Sequence, residues 1–229
     1  MTLLFLSCKS APPEPLRVAA ASDLTEAFTE LGPLFEKQSG RKVVFSFGSS
    51  GLLAKQIAEG APFDVFAAAN RGYVDETVNA HACNGATAKP YARGRLVAWS
   101  SVPLSSLEGL VDERVKRIAI ANPQHAPYGR AAKEALQRSF LWDKVESRIV
   151  YAENVRQALQ FAETGNVEVA LVASANVAQR DAGLLIDDSL HQPIEQALVQ
   201  CKPDGAKFIE FLETAEAKEV MKRYGFTLP

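Results

Sequence analysis

From Leu16 onward the chain alternates short apolar runs with amphipathic stretches, and no other feature limits its fold as strongly. LRVAAA, KVVFSF, DVFAAA, RLVAWS, RIAIANP, RIVYA and VEVALVA each read as a strand that is apolar along most of its length. Between them, apolar residues recur at helical spacing. Leu24, Ala27, Phe28, Leu31, Leu34 and Phe35 share one face ahead of Gly40, and Leu52, Leu53, Ile57 and Ala58 share another. A further helix runs through Tyr73 and Val78, Pro127 starts the next, and VRQALQFAE closes at Gly165. IEQALVQ is a late strand, followed by one long helix, about 206–224, that ends at Gly225. Near-continuous apolar strands linked through helices predict an α/β fold with mainly parallel sheets covered on both faces. In such sheets ligands gather at the carboxyl ends of strands, where the next helices begin.

Charge narrows the function classes. The 229 residues carry 25 Lys and Arg against 27 Asp and Glu, a net −2, with no clustered basic stretch. That excludes a nucleic-acid footprint. It also means that an anion bound here is drawn in by local dipoles and not by bulk charge. Three cysteines and three scattered histidines (His81, His125, His191) match no metal-ligand spacing, so neither a metal nor a cofactor is expected.

The first 15 residues read as a leader and tether outside the fold. Leu3 to Leu6 form a short apolar run, followed by Ser7, Cys8 and a Pro-rich stretch to Pro15. The run is far below the about 20 residues that span a bilayer and reads as the end of a secretory signal. FLSC resembles a bacterial lipoprotein processing site with Cys8 as the lipidated residue, although no basic residue precedes the run. An exported chain is permitted a disulfide between Cys83 and Cys201; their spacing does not decide whether they meet.

Four strand-to-helix junctions carry the chemistry. In AAASDLTEAF, Ser22 offers a neutral donor at the positive end of a helix. Asp23, with Glu26 at capping-box spacing, reads as a cap whose backbone N–H faces inward, because a carboxylate would repel an anion. In FGSSGLLAKQI, Gly48 and Gly51 let the backbone approach a ligand, and Ser49 and Ser50 add hydroxyls to the helix-start N–H groups. Taken alone, such a turn is ordinary turn chemistry; two serine-bearing junctions in succession point to an anion site. In IANPQHAPYGRAAKEAL, Tyr128 presents a hydroxyl or an N–H, His125 reads as a polar loop residue, and Arg130 as a solvated surface charge. In YAENVRQAL, Asn154 can cap while Val155 offers its N–H.

These segments, together with VVFSFGSSGLLAKQIAEGAPFDVFAAA, LWDKV and the terminal KRYGF, closely resemble the periplasmic molybdate-binding proteins of ABC importers, in family order from Leu16 to Phe226. The resemblance implies a type II periplasmic binding protein with two Rossmann-like lobes joined by crossover strands. One lobe would comprise 16–95 plus 196–229 and the other 96–195. It implies an anion, molybdate or tungstate, held by Ser22, Ser50, Tyr128 and Val155, with Asp23 contributing backbone. It further implies a monomer in the periplasm or otherwise outside the cytoplasm that serves a membrane permease, and the FLSC reading adds a lipid anchor at Cys8. One departure stands out. Many relatives place a tyrosine where this chain has Ala173, and a small residue where it has Tyr128, so a tyrosine hydroxyl is expected from a different junction.

Rival readings remain. Another oxyanion such as sulfate is the nearest. A serine hydrolase would use Ser49 or Ser50 with His125, but GSSG is not the G-x-S-x-G elbow. A ligand-sensing transcription regulator would need an N-terminal DNA-binding helix pair, and a ferric site would need tyrosine and carboxylate clusters.

Overall fold

Val, Ile, Leu and Ala dominate the central strands because those strands are covered on both faces. The computed structural model describes residues 14–180 and 183–228, so the leader and the Cys8 site lie outside the described residues. The first half runs β1 (Leu16–Ala21), α1 (Thr25–Ser39), β2 (Val43–Gly48), α2 (Ser50–Ala58), β3 (Val65–Ala68), α3 (Arg71–Asn79) and β4 (Asn84–Gly94). The second half continues with β5 (Leu96–Ser100), β6 (Ile118–Ala121), α4 (Pro127–Arg138), α5 (Trp142–Val145), β7 (Ile149–Ala152), α6 (Val155–Glu163), β8 (Val169–Ala173), α7 (Ser174–Val177) and β9 (Leu184–Leu185). β10 (Ile194–Gln200), α8 (Ala206–Leu212) and α9 (Ala215–Arg223) close the chain.

The strands form two five-stranded sheets, ordered β2-β1-β3-β10-β4 and β7-β6-β8-β5-β9, one for each α/β lobe. Each sheet is mixed. The three strands that feed helices are parallel, while β10 in one sheet and β5 in the other run antiparallel to their neighbours. The chain crosses between sheets at Arg95, between β4 and β5, and returns between β9 and β10. The parallel pattern expected from the sequence therefore holds for the strand–helix units and fails for the strands that carry the chain across.

Some elements were not foreseen. β4 contains Pro90, which demotes a strand reading; here β4 lies at the sheet edge beside β10, with a single bridge from Arg93 to Thr227 beyond it, and at an edge a missing N–H is tolerated. The single terminal helix is two, broken where the Thr214 hydroxyl caps α9 by accepting from Ala217 N at 3.2 Å. Helix ends fall where glycine was expected to place them: Gly40 terminates α1 in the left-handed region.

The first lobe is held by an aromatic core. Phe28 and Phe35 on α1 meet Phe45 on β2 and Phe208 and Phe211 on α8, with centroids 5.3–5.6 Å apart for Phe28–Phe45, Phe28–Phe208, Phe35–Phe208 and Phe35–Phe211. Cys83, just ahead of β4, and Cys201, just after β10, are joined by a disulfide across 118 residues. That link closes a loop containing every strand of the second sheet.

Candidate functional site

The parallel strands of both sheets direct their carboxyl ends to the same cleft, and all five residues singled out in the sequence meet there. Ser22, Asp23, Ser50, Tyr128 and Val155 line one small cavity, together with Ala21, Gly48, Ser49, Ala69, Ala126 and Pro127. Two junctions come from each lobe: those after β1 and β2 in the first, and those after β6 and β7 in the second.

Each junction presents donors for a local reason. Ser22 opens a short 3-10 turn (Ser22–Leu24) directly after β1 and is 4% exposed. Ser50 is the first residue of α2, and its Oγ accepts from Ala69 N at 3.0 Å. With an acceptor role thus filled, the hydroxyl proton is the part left to give. Tyr128 and Val155 sit in the first turns of α4 and α6, where main-chain N–H groups have no intrahelical partner. Asn154 caps α6 as expected, accepting from Gln157 N at 3.0 Å, so the Val155 N–H stays uncommitted by the cap. Among the described residues no lysine or arginine lines the cavity. Apart from the Asp23 carboxyl, it is a pocket of neutral donors with converging helix starts, the arrangement that suits a compact anion.

Asp23 departs from its sequence reading. It caps nothing: α1 has no side-chain cap, and Glu26 turns outward to Arg156 at 3.5 Å. The Asp23 carboxyl is 1% exposed, and its Oδ2 accepts from Tyr128 Oη at 3.1 Å and from Gln196 Nε2. Gln196 in turn accepts from Tyr91 Oη at 2.6 Å. Burial pushes the Asp23 carboxyl up to about 6, against the lowering pull of hydrogen bonds from Gln196, Tyr128 and its own backbone. Burial, reinforced by the Asp23 charge, pushes the Tyr91 and Tyr128 phenols well above their usual range.

The Tyr128 hydroxyl therefore gives its proton to Asp23 in this structure, a partner that the sequence reading, in which it replaces the tyrosine missing at Ala173, did not foresee. A Cβ on Gly94 would lie 1.9 Å from that hydroxyl, so the crossover strand must be bare at this point for Tyr128 to seat. Tyr91, Gln196, Asn176 and Gly94 were not singled out from the sequence. The available signal was Gln196, a wholly buried polar residue in β10 among the buried apolar residues Ile194, Ala197, Leu198 and Val199. Asn176 on α7 donates to the Ser22 and Asp23 carbonyls at 3.2 and 3.4 Å, which holds the first junction from the opposite lobe.

The lobes touch at further points around the cavity. Gly51 N donates to His125 O at 2.9 Å, and Ser49 Oγ lies 2.8 Å from His125 Nδ1. Arg130, expected as a purely solvated charge, sits over the Tyr73 ring at 5.1 Å while remaining exposed. The Ser49–His125 pair is half of a hydrolytic arrangement. Among the described residues no carboxylate bonds to His125, and His125 does not line the cavity. The pair bridges the lobes.

Comparison with known proteins agrees with this geometry. Residues 16–227 match the family model described as bacterial extracellular solute-binding protein. The chain is 34% identical to the molybdate-binding protein ModA of Rhodobacter capsulatus, over 91% of this chain and 86% of that protein. It is 33% identical to the molybdate-binding protein ModA of Azotobacter vinelandii, over 97% of this chain and 93% of that one. The solved periplasmic molybdate-binding protein of Azotobacter vinelandii superposes with a TM-score of 0.87 at 32% identity, covering 93% of this chain and 99% of that one. With a family match across nearly its whole length and relatives of this similarity, the chain belongs to the bacterial extracellular solute-binding proteins.

Proposed function

We propose that this chain is the extracytoplasmic binding component of an ABC importer, which takes molybdate or tungstate into the cleft between its lobes and presents it to a membrane permease. The observation that carries this reading is the convergence of four strand-to-helix junctions, two from each lobe, on one cavity of neutral donors. The names of the relatives, molybdate-binding proteins over most of their length, support the choice of anion.

The physical logic is desolvation. Removing a compact dianion from water is costly unless its oxygens regain donors. Ser22 and Ser50 supply hydroxyls, and the Ser50, Tyr128 and Val155 junctions supply main-chain N–H groups at helix starts. Neither lobe holds a full set, so capture requires closure. The lobe division we propose is 16–95 with 196–229 against 96–195. The protein acts as a monomer without a cofactor and performs no catalysis, and Cys8 carries a lipid that tethers it outside the cytoplasm. Among the described residues no helix is long and apolar enough to cross a membrane.

Calorimetric titration of the purified chain tests the reading. Molybdate and tungstate should bind at least about a hundredfold more tightly than sulfate, roughly 2.7 kcal/mol of discrimination. Equal affinity for sulfate would transfer the proposal to a general oxyanion carrier, and no molybdate heat at all would end it.

A further inference from the structure

An ionised carboxylate is the wrong neighbour for a dianion, yet Asp23 lines the same cavity as Ser22, Ser50, Tyr128 and Val155. Its two carboxyl oxygens are not equivalent. Oδ2 is held by Tyr128 Oη and Gln196 Nε2, whereas Oδ1 is buried and has no hydrogen-bond partner among the described residues. A buried, unpartnered carboxylate oxygen is costly, and a proton on it turns an orphan acceptor into a donor.

The groups packed around Asp23 offer no positive charge to offset. From β4 comes the Tyr91 phenol, from α4 the Tyr128 phenol, from β10 the Gln196 amide, and from α7 the Asn176 amide, which reaches the Asp23 main-chain carbonyl. The nearby cations are engaged elsewhere: Arg156 on α6 with Glu26 and Glu163, and Arg95 beyond β4 with Asp188 at 2.9 Å. His125 faces Ser49 and not Asp23.

We propose that the oxyanion is captured together with one proton, taken from solvent as the cleft closes and held on Asp23 Oδ1, which donates it to an oxygen of the bound anion. This rests on the reading of the cavity as an oxyanion site. Asp23 is then a specificity-determining residue: it supplies a donor only when protonated, and it makes capture tighter in acidic surroundings. The sign follows from the protonation states. With the lobes packed together as in this structure, burial raises the carboxyl to about 6, so without an adjacent anion it is mostly ionised at neutral pH. An adjacent dianion raises it further, because like charges disfavour the ionised form. The bound state thus holds more protons than the free state above pH 6, and affinity falls as pH rises through that range. Below about 6 both states are protonated and the dependence from this group vanishes.

The test is titration of the full chain with sodium molybdate from pH 5.5 to 8, in pairs of buffers that differ in ionisation enthalpy. The expected result for the wild-type protein is uptake of close to one proton per anion at pH 7.5 and an affinity that drops by up to about tenfold per pH unit above 6. Asp23→Asn, whose amide cannot titrate, should take up no proton and lose that slope. Binding of molybdate by the wild-type protein with no proton uptake would overturn the inference while leaving the oxyanion reading intact. A slope that persists in Asp23→Asn would also overturn it, by assigning the titration to another group such as His125. Absence of binding at every pH would remove the oxyanion reading and this inference with it. The wild-type proton count decides the matter even where the variant fails to fold.

Discussion

The two lobes share one plan and fill it with different chemistry. In both, a central strand (β1 or β6) is flanked by parallel partners, one antiparallel strand carries the crossing, and the junctions after the central and outer strands reach the cavity. The first lobe packs phenylalanines around α1 and α8 and presents two serines. The second packs Ile118, Ile120, Ala131, Ala132, Ala135 and Leu159 and brings Tyr128 and Val155 to the cavity, where the proposed function gives them main-chain donor roles. The difference teaches where substitutions can be read. In the proposed reading the first-lobe donors include two side-chain hydroxyls, which can be deleted one at a time. Second-lobe donors survive almost any change of residue, and the Tyr128 hydroxyl serves Asp23.

The largest expected effect concerns the covalent link of the first lobe, at the end of the β4–β10 pair remote from the crossover. The Cys83–Cys201 disulfide closes a loop of 118 residues that encloses the second sheet, so breaking it frees the unfolded chain far more than a local crosslink would. Replacing both cysteines with serine should cost about 4–5 kcal/mol of stability on a chain-entropy basis. Urea unfolding of the oxidised protein against the double variant measures this. A change under about 1 kcal/mol would mean that the non-covalent contacts of β4 with β10 already hold the return to the first lobe.

Next come the first-lobe hydroxyls. Ser22→Ala and Ser50→Ala should each weaken molybdate binding by about 1.5–3 kcal/mol, the range for a hydrogen bond to a charged group. Ser50→Ala should also lower stability slightly, because Ala69 N loses its acceptor. Wild-type affinity in either variant, read by calorimetry, would place that serine outside the donor set and blur the contrast between the lobes.

The smallest effect belongs to Tyr128→Phe. The hydroxyl is bonded to Asp23, so its loss should cost about 1 kcal/mol of stability and change affinity less than either serine variant does. Thermal melts beside titrations separate the two readouts. An affinity loss as large as for Ser22→Ala would return the hydroxyl to the anion.

Much of this was legible in the sequence, and the omissions have physical causes. Strand–helix alternation exposed the seven apolar strands and the helices beginning at Pro127 and Val155, because period and caps are local signals. The four junctions were legible for the same reason. The edge strand β4 was hidden by Pro90 and by pairing to a strand more than a hundred residues away. Asp23 was misread as a cap since capping-box spacing is local, whereas its partners Tyr128 and Gln196 arrive from positions 105 and 173 residues distant. The disulfide and the buried Tyr91–Gln196–Asp23 chain are likewise products of the crossover, which no local pattern encodes.

The central claim is that one anion is held between four junctions, two from each lobe. Crystals grown with sodium tungstate test it directly, because tungsten scatters anomalously and marks its own position. The account predicts a single strong peak in the cavity, with oxygens in hydrogen-bond reach of Ser22 Oγ, Ser50 Oγ and the main-chain nitrogens of Tyr128 and Val155. A peak bound by one lobe alone, or seated away from these four residues, would contradict it.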